Sequence, residues 1–278
     1  MASTLNRSLE RGMEILRAFR PGSTLLGNSE IAERTGLSPA TVSRLTQTLV
    51  VAGMLAHDRR ARAYRLAAPV LSLAHAMRTG SVVLQVAAPL MRTLAEKLRI
   101  NVGLAVADRS EMVYLESIRY NRRASLRNVV SGQRVPIELT SLGRAWLAVA
   151  PLDAREALFA EFAARRTDWP RLRKDIDKSI ESVEQRGWCV ASWQPEVVAL
   201  AAPLKLESAW GYVLNVSVSS TESSGDVAAE LSAPLLALGQ KITRAVDTRE
   251  PAGETRQQAG SQGQRRTLPS SVSIDSST

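Results

Sequence analysis

The strongest constraint on the fold of this chain is a pair of short predicted helices near the N-terminus, separated by a tight turn. The first is predicted over 29–35, and Gly36 ends it as a C-cap residue. Ser38 then stands at an N-cap and Pro39 at the first helical position, which favours a new helix because proline's missing N–H group is not needed there. The second helix is predicted to run on to Gly53. Two short helices joined in this way are typical of a helix-turn-helix.

The second of these helices has two distinct faces. Apolar residues at helical spacing form the predicted inward stripe: Val42, Leu45, Leu49 and Ala52. The opposite face carries small and polar residues, with two threonines at its border: Ala40, Ser43, Arg44, Gln47, Thr41 and Thr48. Arginine and glutamine can hydrogen-bond base edges in the major groove. Ordinary solvated helix residues are the alternative interpretation.

A predicted β-hairpin follows directly. Residues 54–57 and 64–66 form its strands, and the basic run 58–62 forms its turn. Such a hairpin with a basic tip after a recognition helix is a wing, whose arginines would contact phosphate, although a solvated turn is the alternative. The candidate DNA-binding residues are therefore Ser38, Ala40, Thr41, Ser43, Arg44, Gln47, Thr48, Arg59, Arg60, Arg62 and Tyr64.

Composition agrees with a polyanionic partner without proving one. The chain has 278 residues, enough for two domains, and a formal net charge of +9. Residues 1–66 contain ten arginines, no lysine and five acidic residues. Because arginine outnumbers lysine along the whole chain, an arginine-rich host composition explains part of this bias.

Several classes of protein are excluded or disfavoured. A single cysteine and two distant histidines exclude an internal disulfide and predict no metal site. The N-terminus does not resemble a signal peptide and no apolar run is long enough for a bilayer, so we expect a soluble, cytoplasmic protein with no membrane partner. No Gly-rich phosphate loop, nucleophile elbow or HExxH motif occurs, so we expect neither an enzyme nor a bound cofactor.

The remaining predicted elements indicate an α+β fold with an antiparallel sheet. An N-terminal helix presents an apolar stripe, and two helices follow the wing, over 69–77 and over 82–98 with an interruption near Pro89. The stripe consists of Leu9, Met13, Leu16 and Phe19. Strands are predicted over 101–107, 111–118, 188–193, 197–205 and 210–219, and helices over 141–150, 153–165, 170–186 and 224–247. The stretch 119–134 is predicted to be irregular.

One strand in the second half alternates between apolar and polar residues, which predicts a ligand pocket. Leu214, Val216 and Val218 share one face, while Asn215, Ser217 and Ser219 share the other. A sheet with one hydrated face is the alternative. Opposite the polar face we expect a helix starting near Thr140, whose unpaired N–H groups would suit a carboxylate. The candidate effector-binding residues are Thr140, Ser141, Leu142, Cys189, Ala191, Asn215, Ser217 and Ser219.

From residue 8 to about 246 the chain resembles the IclR-type bacterial transcriptional regulators. The resemblance lies in a series of motifs in one order: 8–12 (SLERG), 30–32 (EIA), 35–38 (TGLS), 41–45 (TVSRL), 64–66 (YRL), 132–136 (GQRVP), 143–145 (GRA) and 201–204 (AAPL). It implies a GAF-like effector domain behind a linker helix, and dimers or tetramers that bind palindromic double-stranded operator DNA, more often as repressors. The segment 191–197 lacks the acidic run and the aspartate of some members, so their ligands are not transferred to this chain.

These observations predict four parts. They are a winged helix-turn-helix over 1–67, a linker helix over 68–80, a GAF-like effector-binding and oligomerisation domain over 81–248, and a disordered tail over 249–278. The effector is expected to be a small organic or aromatic acid.

Overall fold

The computed structural model describes residues 6–120, 130–194, 196–206, 211–220 and 222–249. The first domain contains helices α1 (Arg7–Arg17), α2 (Asn28–Thr35) and α3 (Pro39–Val51), followed by strands β1 (Leu55–Asp58) and β2 (Ala63–Leu66). β1 and β2 pair antiparallel, and a bridge between Leu26 and Tyr64 adds a third backbone segment to this small sheet. The predicted winged helix-turn-helix is confirmed. The predicted tail from residue 250 onward lies outside the described residues.

The predicted helix boundaries around the turn are also confirmed. Gly36 has a φ of 68° and is the left-handed C-cap of α2. The Ser38 hydroxyl accepts a hydrogen bond from the backbone N–H of Thr41, and Pro39 occupies the first position of α3. Local capping therefore fixes where α3 begins, and with it the orientation of its exposed face.

The inward face of α1 differs from the prediction. Ile15 and Phe19 are buried in the core of the first domain, whereas Leu9 and Met13 are exposed. The helix is therefore rotated relative to the predicted stripe, and two apolar side chains at i and i+4 face outward. Ile15, absent from that stripe, provides the central contact.

Two helices follow the wing: α4 (Ala68–Thr79), which coincides with the predicted linker helix, and α5 (Val82–Leu98), which packs in the second domain. All twelve residues of α4 lie in the described part of the chain, and none of them is buried. Among the described residues no single helix is long and apolar enough to cross a membrane. Helices α4 and α5 reach such a length and apolar character only when taken together, and the chain bends by 82° between them.

The predicted interruption near Pro89 is wrong, because α5 is continuous through this residue. Proline removes one hydrogen bond, to the carbonyl of Gln85. Both residues lie on the exposed side of α5, where water can hydrogen-bond that carbonyl. The opposite side of the helix buries six residues, and this packing outweighs the lost bond.

The second domain is built on a six-stranded antiparallel sheet with the order β5-β4-β3-β8-β7-β6. Its strands are β3 (Asn101–Asp108), β4 (Glu111–Ile118), β5 (Arg134–Pro136), β6 (Cys189–Ala191), β7 (Val197–Pro203) and β8 (Val213–Ser219). β5, which falls at the end of the stretch predicted to be irregular, is a short edge strand paired with β4. The other strands lie within their predicted ranges to within one residue.

Four more helices complete the domain: α6 (Ser141–Val149), α7 (Leu152–Arg165), α8 (Trp169–Arg186) and α9 (Ser224–Arg249). α5 and α9 cover one face of the sheet, in a core that includes Leu104, Leu200 and Leu214. α6, α7 and α8 cover the other face, in a second core that includes Ile137 and Phe162. The predicted α+β class with an antiparallel sheet is confirmed.

The two domains also contact each other through side chains. Residues of α1 and of the segment just after it form ion pairs with the turn between β3 and β4. In α1, Arg17 pairs with Asp108 at 2.5 Å and Glu14 pairs with Arg109; after α1, Arg20 pairs with Glu111 at 2.8 Å. Arg134, next to this turn in the sheet, pairs with the same two acidic residues at 2.5 and 2.7 Å. The first domain is therefore docked on the hairpin of β3 and β4 by alternating charges.

Candidate DNA-binding face and effector cavity

The outward face of α3 is exposed as its sequence predicts. Ala40, Arg44, Gln47 and Thr48 are exposed, and Thr41 and Ser43 are half-buried. Ser38 is exposed too, and its hydroxyl lies 2.9 Å from the hydroxyl of Thr41. Long side chains capable of reading bases thus lie beside small ones that permit close approach.

The inward face of α3 differs from the prediction at one position. Val42 and Leu45 are buried and Leu49 is half-buried, but Ala52 is exposed. Thr46 is fully buried instead, and its hydroxyl donates to the carbonyl of Val42 at 2.9 Å. That local bond satisfies the hydroxyl and lets a polar residue take a core position.

The wing presents its arginines to solvent. Arg59, Arg60 and Arg62 are all exposed in the turn between β1 and β2. The Asp58 carboxylate accepts hydrogen bonds of 3.0 Å from the N–H groups of Arg60 and Ala61, and the bond from Ala61 is the main reason why the pKa of Asp58 is lowered. The Asp58 carboxylate therefore orders the turn, and the guanidinium groups of the arginines remain exposed.

Tyr64 lies elsewhere. Its side chain is only 8% exposed and packs in the core of the first domain, with its ring 4.9 Å from that of His57. Little of the Tyr64 side chain is therefore available to contact DNA.

A cavity of about 90 Å³, partly open to solvent, lies between the sheet and the N-terminal end of α6. Seven of the eight candidate effector-binding residues line it: Thr140, Ser141, Leu142, Ala191, Asn215, Ser217 and Ser219. The polar face of β8 thus points into the cavity, and its apolar face packs against α5 and α9. A partly open cavity whose apolar lining includes a few polar groups is typical of a small-molecule site.

Cys189 is the candidate that does not line the cavity. It is 1% exposed, and its thiol lies 3.5 Å from the carbonyl oxygen of Ser141. Burial raises the pKa of this thiol to about 12. Cys189 is therefore a small residue of the second core that does not reach the cavity, and it is a poor nucleophile at neutral pH.

The N-terminus of α6 points positive partial charges at the cavity. The Thr140 hydroxyl accepts from the backbone N–H of Gly143 at 3.2 Å and donates to the carbonyl of Pro136 at 2.8 Å. The N–H groups of Ser141 and Leu142 belong to the first turn and have no intrahelical acceptor. These groups, together with the helix dipole, favour an anion at this end of the cavity.

Sequence reasoning missed eleven lining residues, which lie on or beside strands β3, β4, β5 and β7 and in the segment after β6. They are Asn101, Val102, Gly103, Tyr114, Ser117, Arg119, Val135, Trp193, Gln194, Val197 and Ala199. The alternation of β3 places Asn101 and Gly103 on one face, and the pairing of β3 with β8 brings them opposite Ser217 and Asn215. The alternation was available from the sequence; the pairing that brings these faces together was not.

Gly103 permits a close approach at the centre of the cavity wall. A Cβ atom there would lie 2.4 Å from Oδ1 of Asn215 and 2.5 Å from the ring of Tyr114. These two side chains therefore meet over a position that only glycine can occupy without displacement. Burial raises the pKa of Tyr114 to about 12, and hydrogen bonding by Asn215 offsets part of this increase. The tyrosine is thus neutral at physiological pH.

Comparisons with known proteins agree with this architecture. Residues 8–59 match the model of the IclR helix-turn-helix domain, and residues 75–244 match that of the bacterial transcriptional regulator IclR C-terminal domain. The transcriptional regulator TsaQ1/TsaQ2 of Comamonas testosteroni is 35% identical over 189 residues, covering 67% of this chain and 68% of the relative. The Pca regulon regulatory protein of Pseudomonas putida is 28% identical, covering 74% and 71%.

A solved structure is similar over nearly the whole chain. The IclR family transcriptional regulator from Brucella abortus is 34% identical, with a TM-score of 0.77 and coverage of 87% of this chain and 93% of that structure. These relatives are regulators, so the prediction of a DNA-binding regulator with an effector domain, and not an enzyme, is confirmed. The chain belongs to the IclR family of bacterial transcriptional regulators.

Proposed function

We propose that this regulator recognises its operator sequence through the exposed face of α3 and contacts the flanking phosphates through the wing. The observation that carries the proposal is the exposure of Arg44 and Gln47 on a helix whose opposite face is buried in the domain core. Arg44 would contact a base, most favourably a guanine, through two hydrogen bonds. Small neighbours such as Ala40 and Ser43 would allow the helix to enter the major groove.

A comparison of two substitutions at one position tests this proposal. An operator is first selected from random DNA with the full chain. Arg44→Ala should weaken operator binding by about 1–3 kcal/mol and remove the preference at one base position. Arg44→Lys keeps the charge and loses the two-pronged geometry, so it should keep non-specific affinity and still lose base preference. Unchanged affinity and preference in both variants would contradict the assignment of α3.

The effector proposed for the cavity is a small aromatic carboxylic acid. Its carboxylate would bind at the N–H groups of Ser141 and Leu142, and Arg119 in the cavity wall adds a positive charge to the same lining. Tyr114 and Trp193 supply aromatic surface for a ring. Because the cavity lies far from α3 in sequence and in the fold, the ligand acts on DNA binding through a change in domain arrangement.

Two ligands of similar shape but different charge test whether the N-terminus of α6 recognises a carboxylate. Benzoate should bind the full chain in calorimetry, and benzamide, which has nearly the same shape and no charge, should bind at least about tenfold more weakly. Equal affinities would mean that the end of α6 does not recognise an anion. If neither these compounds nor any ring-substituted benzoate bound, aromatic acids would be removed from the proposal.

We further propose that the protein acts in the bacterial cytoplasm as a two-fold dimer, or as a tetramer of two dimers, that represses transcription. Leu73 and Met77 lie one turn apart on α4 and are exposed, as are Leu9 and Met13 on α1. Such apolar surface favours a second copy, and a two-fold dimer matches a palindromic operator. In this proposal the domains are 1–67, 68–80 and 81–248, and the effector changes the separation of the two winged helices.

A further inference from the structure

The wall of the cavity opposite the α6 N-terminus contains two acceptor atoms that lack partners. Oδ1 of Asn215 and Oδ1 of Asn101 are both buried, and neither has a hydrogen-bond partner among the described residues. Asn215 as a whole is 5% exposed, and both residues line the cavity. An unpaired buried amide oxygen is unfavourable, and buried polar groups in native proteins are nearly always paired.

The sheet holds the backbone of Asn215 in place beside the cavity. The residue lies on β8, which is paired on both sides, with β3 and with β7. Its cross-strand neighbour on β3 is Gly103, and the ring of Tyr114 lies over the same glycine. The amide oxygen is thus held beside the ligand space by its own strand and by Tyr114.

From this arrangement we infer that Asn215, assisted by Asn101, selects ligands that carry a hydrogen-bond donor at the end opposite their carboxylate. The class is a hydroxylated or amino-substituted aromatic acid. The inference rests on the proposed function, since it assumes that the carboxylate binds at α6. A ligand with a hydroxyl at the far end pairs the amide oxygen, and a ligand without one buries it unpaired.

Ligands of nearly equal size that differ in their ability to donate test this inference on the full chain. The probes are 3- and 4-hydroxybenzoate, 4-aminobenzoate, and the matching 3- and 4-fluorobenzoates and 4-methylbenzoate, which cannot donate. In calorimetry, at least one donor probe should bind about tenfold or more tightly than its matched non-donor. Equal affinities in every matched pair would overturn the inference, while the proposed function would stand because the carboxylates bind.

Substitution of the asparagine identifies the group responsible. Asn215→Leu removes the acceptor at similar volume, so the preference for donors should disappear. The affinity for the fluorobenzoates should stay equal or rise, which a general loss of structure could not produce. Asn101→Leu, at the less buried of the two positions, provides a second variant and should reduce the preference in part. A preference that survives in both folded variants would assign the selection to other residues. If no benzoate derivative binds the unmodified chain, the proposed function and this inference both fail.

Discussion

Gly143 occupies a position in α6 where backbone packs directly against backbone. A Cβ atom added there would lie 2.2 Å from both Cα and the carbonyl oxygen of Ile137. These atoms belong to the main chain between β5 and α6 and cannot rotate away as a flexible side chain could. The absence of a side chain at residue 143 is therefore what allows the first turn of α6 to lie against the segment that precedes it.

We predict that Gly143→Ala destabilises the protein by at least about 2 kcal/mol, because α6 has to shift away from Ile137. The N-terminus of α6 would move with it, so affinity for benzoate should fall as well. Gly12→Ala is the matched control. Gly12 lies in α1 with no atom within 4 Å of the added Cβ, so alanine should leave stability unchanged or raise it by up to about 1 kcal/mol. Thermal unfolding of the three proteins checks this, and equal melting temperatures for both variants would contradict it.

Individual residues also show where sequence reasoning succeeds. Gly36, Ser38 and Pro39 act within one or two turns of the chain, and the structure agrees with their predicted roles. Asn215, Ser217 and Ser219 were placed on one face by alternation alone, and that face lines the cavity. Asn101 and Gly103 were missed, because a strand's neighbours depend on contacts distant in sequence that a local pattern does not contain.

Among the secondary-structure elements, the errors share a cause: tertiary contacts outweigh local preference. Leu9 and Met13 fit a helical stripe, yet Ile15 faces the core because α1 buries a different face in the first domain. Pro89 favours a break, and burial of the opposite side of α5 keeps the helix continuous. The short strand β5 is formed by pairing with β4 and has no alternation of its own to reveal it.

The exposed arginines of the wing lead to a separate prediction about how DNA binding depends on salt. Replacing Arg59, Arg60 and Arg62 together with alanine should weaken binding to all DNA sequences alike, because phosphate contacts position a protein without reading bases. The slope of log affinity against log salt should shrink by up to about 3 units, one for each lost phosphate contact.

A variant that loses three positive charges far from the wing provides the control. Lys241, Arg244 and Arg249 are exposed near the end of α9, and their joint replacement lowers net charge equally. If this control reduces the salt slope as much as the wing variant does in anisotropy titrations, the effect comes from net charge and the wing makes no phosphate contact.

At the scale of the whole molecule, two physical connections join the DNA-binding domain to the cavity. One is the covalent linker through α4 and α5, anchored where Arg78 pairs with Glu116 on β4 at 2.6 Å. The other is the set of ion pairs that join α1 and the segment just after it to the turn from Asp108 to Glu111. The strands that form this turn also carry Gly103 and Tyr114 of the cavity wall. A ligand that displaces the hairpin therefore acts on α1 directly as well as through the linker.

The charges at this contact determine how it depends on pH and salt. Hydrogen bonding from Arg109 lowers the pKa of Glu14, and Arg17 and Arg134 lower that of Asp108 against the opposing effect of burial. A carboxylate with a lowered pKa stabilises the docked arrangement above its ordinary pKa, near 4, and this contribution is lost as pH falls through the lowered value. Docking should thus be constant at neutral pH, weaken in acid, and weaken with added salt because the pairs are partly exposed.

Reversal of one ion pair tests whether this contact transmits the effector signal. Glu14→Arg places like charges together at Arg109, so the change in operator affinity caused by benzoate should become smaller. Adding Arg109→Glu restores opposite charges and should restore the response, although each exposed pair contributes only about 0–1 kcal/mol. Asp177→Arg is the matched control, since it breaks the exposed pair with Arg173 within α8, at 2.8 Å, far from the contact. Anisotropy titrations of operator binding with and without benzoate measure all four proteins. An unaltered response in Glu14→Arg, or no recovery in the double variant, would leave the linker helices as the route by which the signal reaches α3.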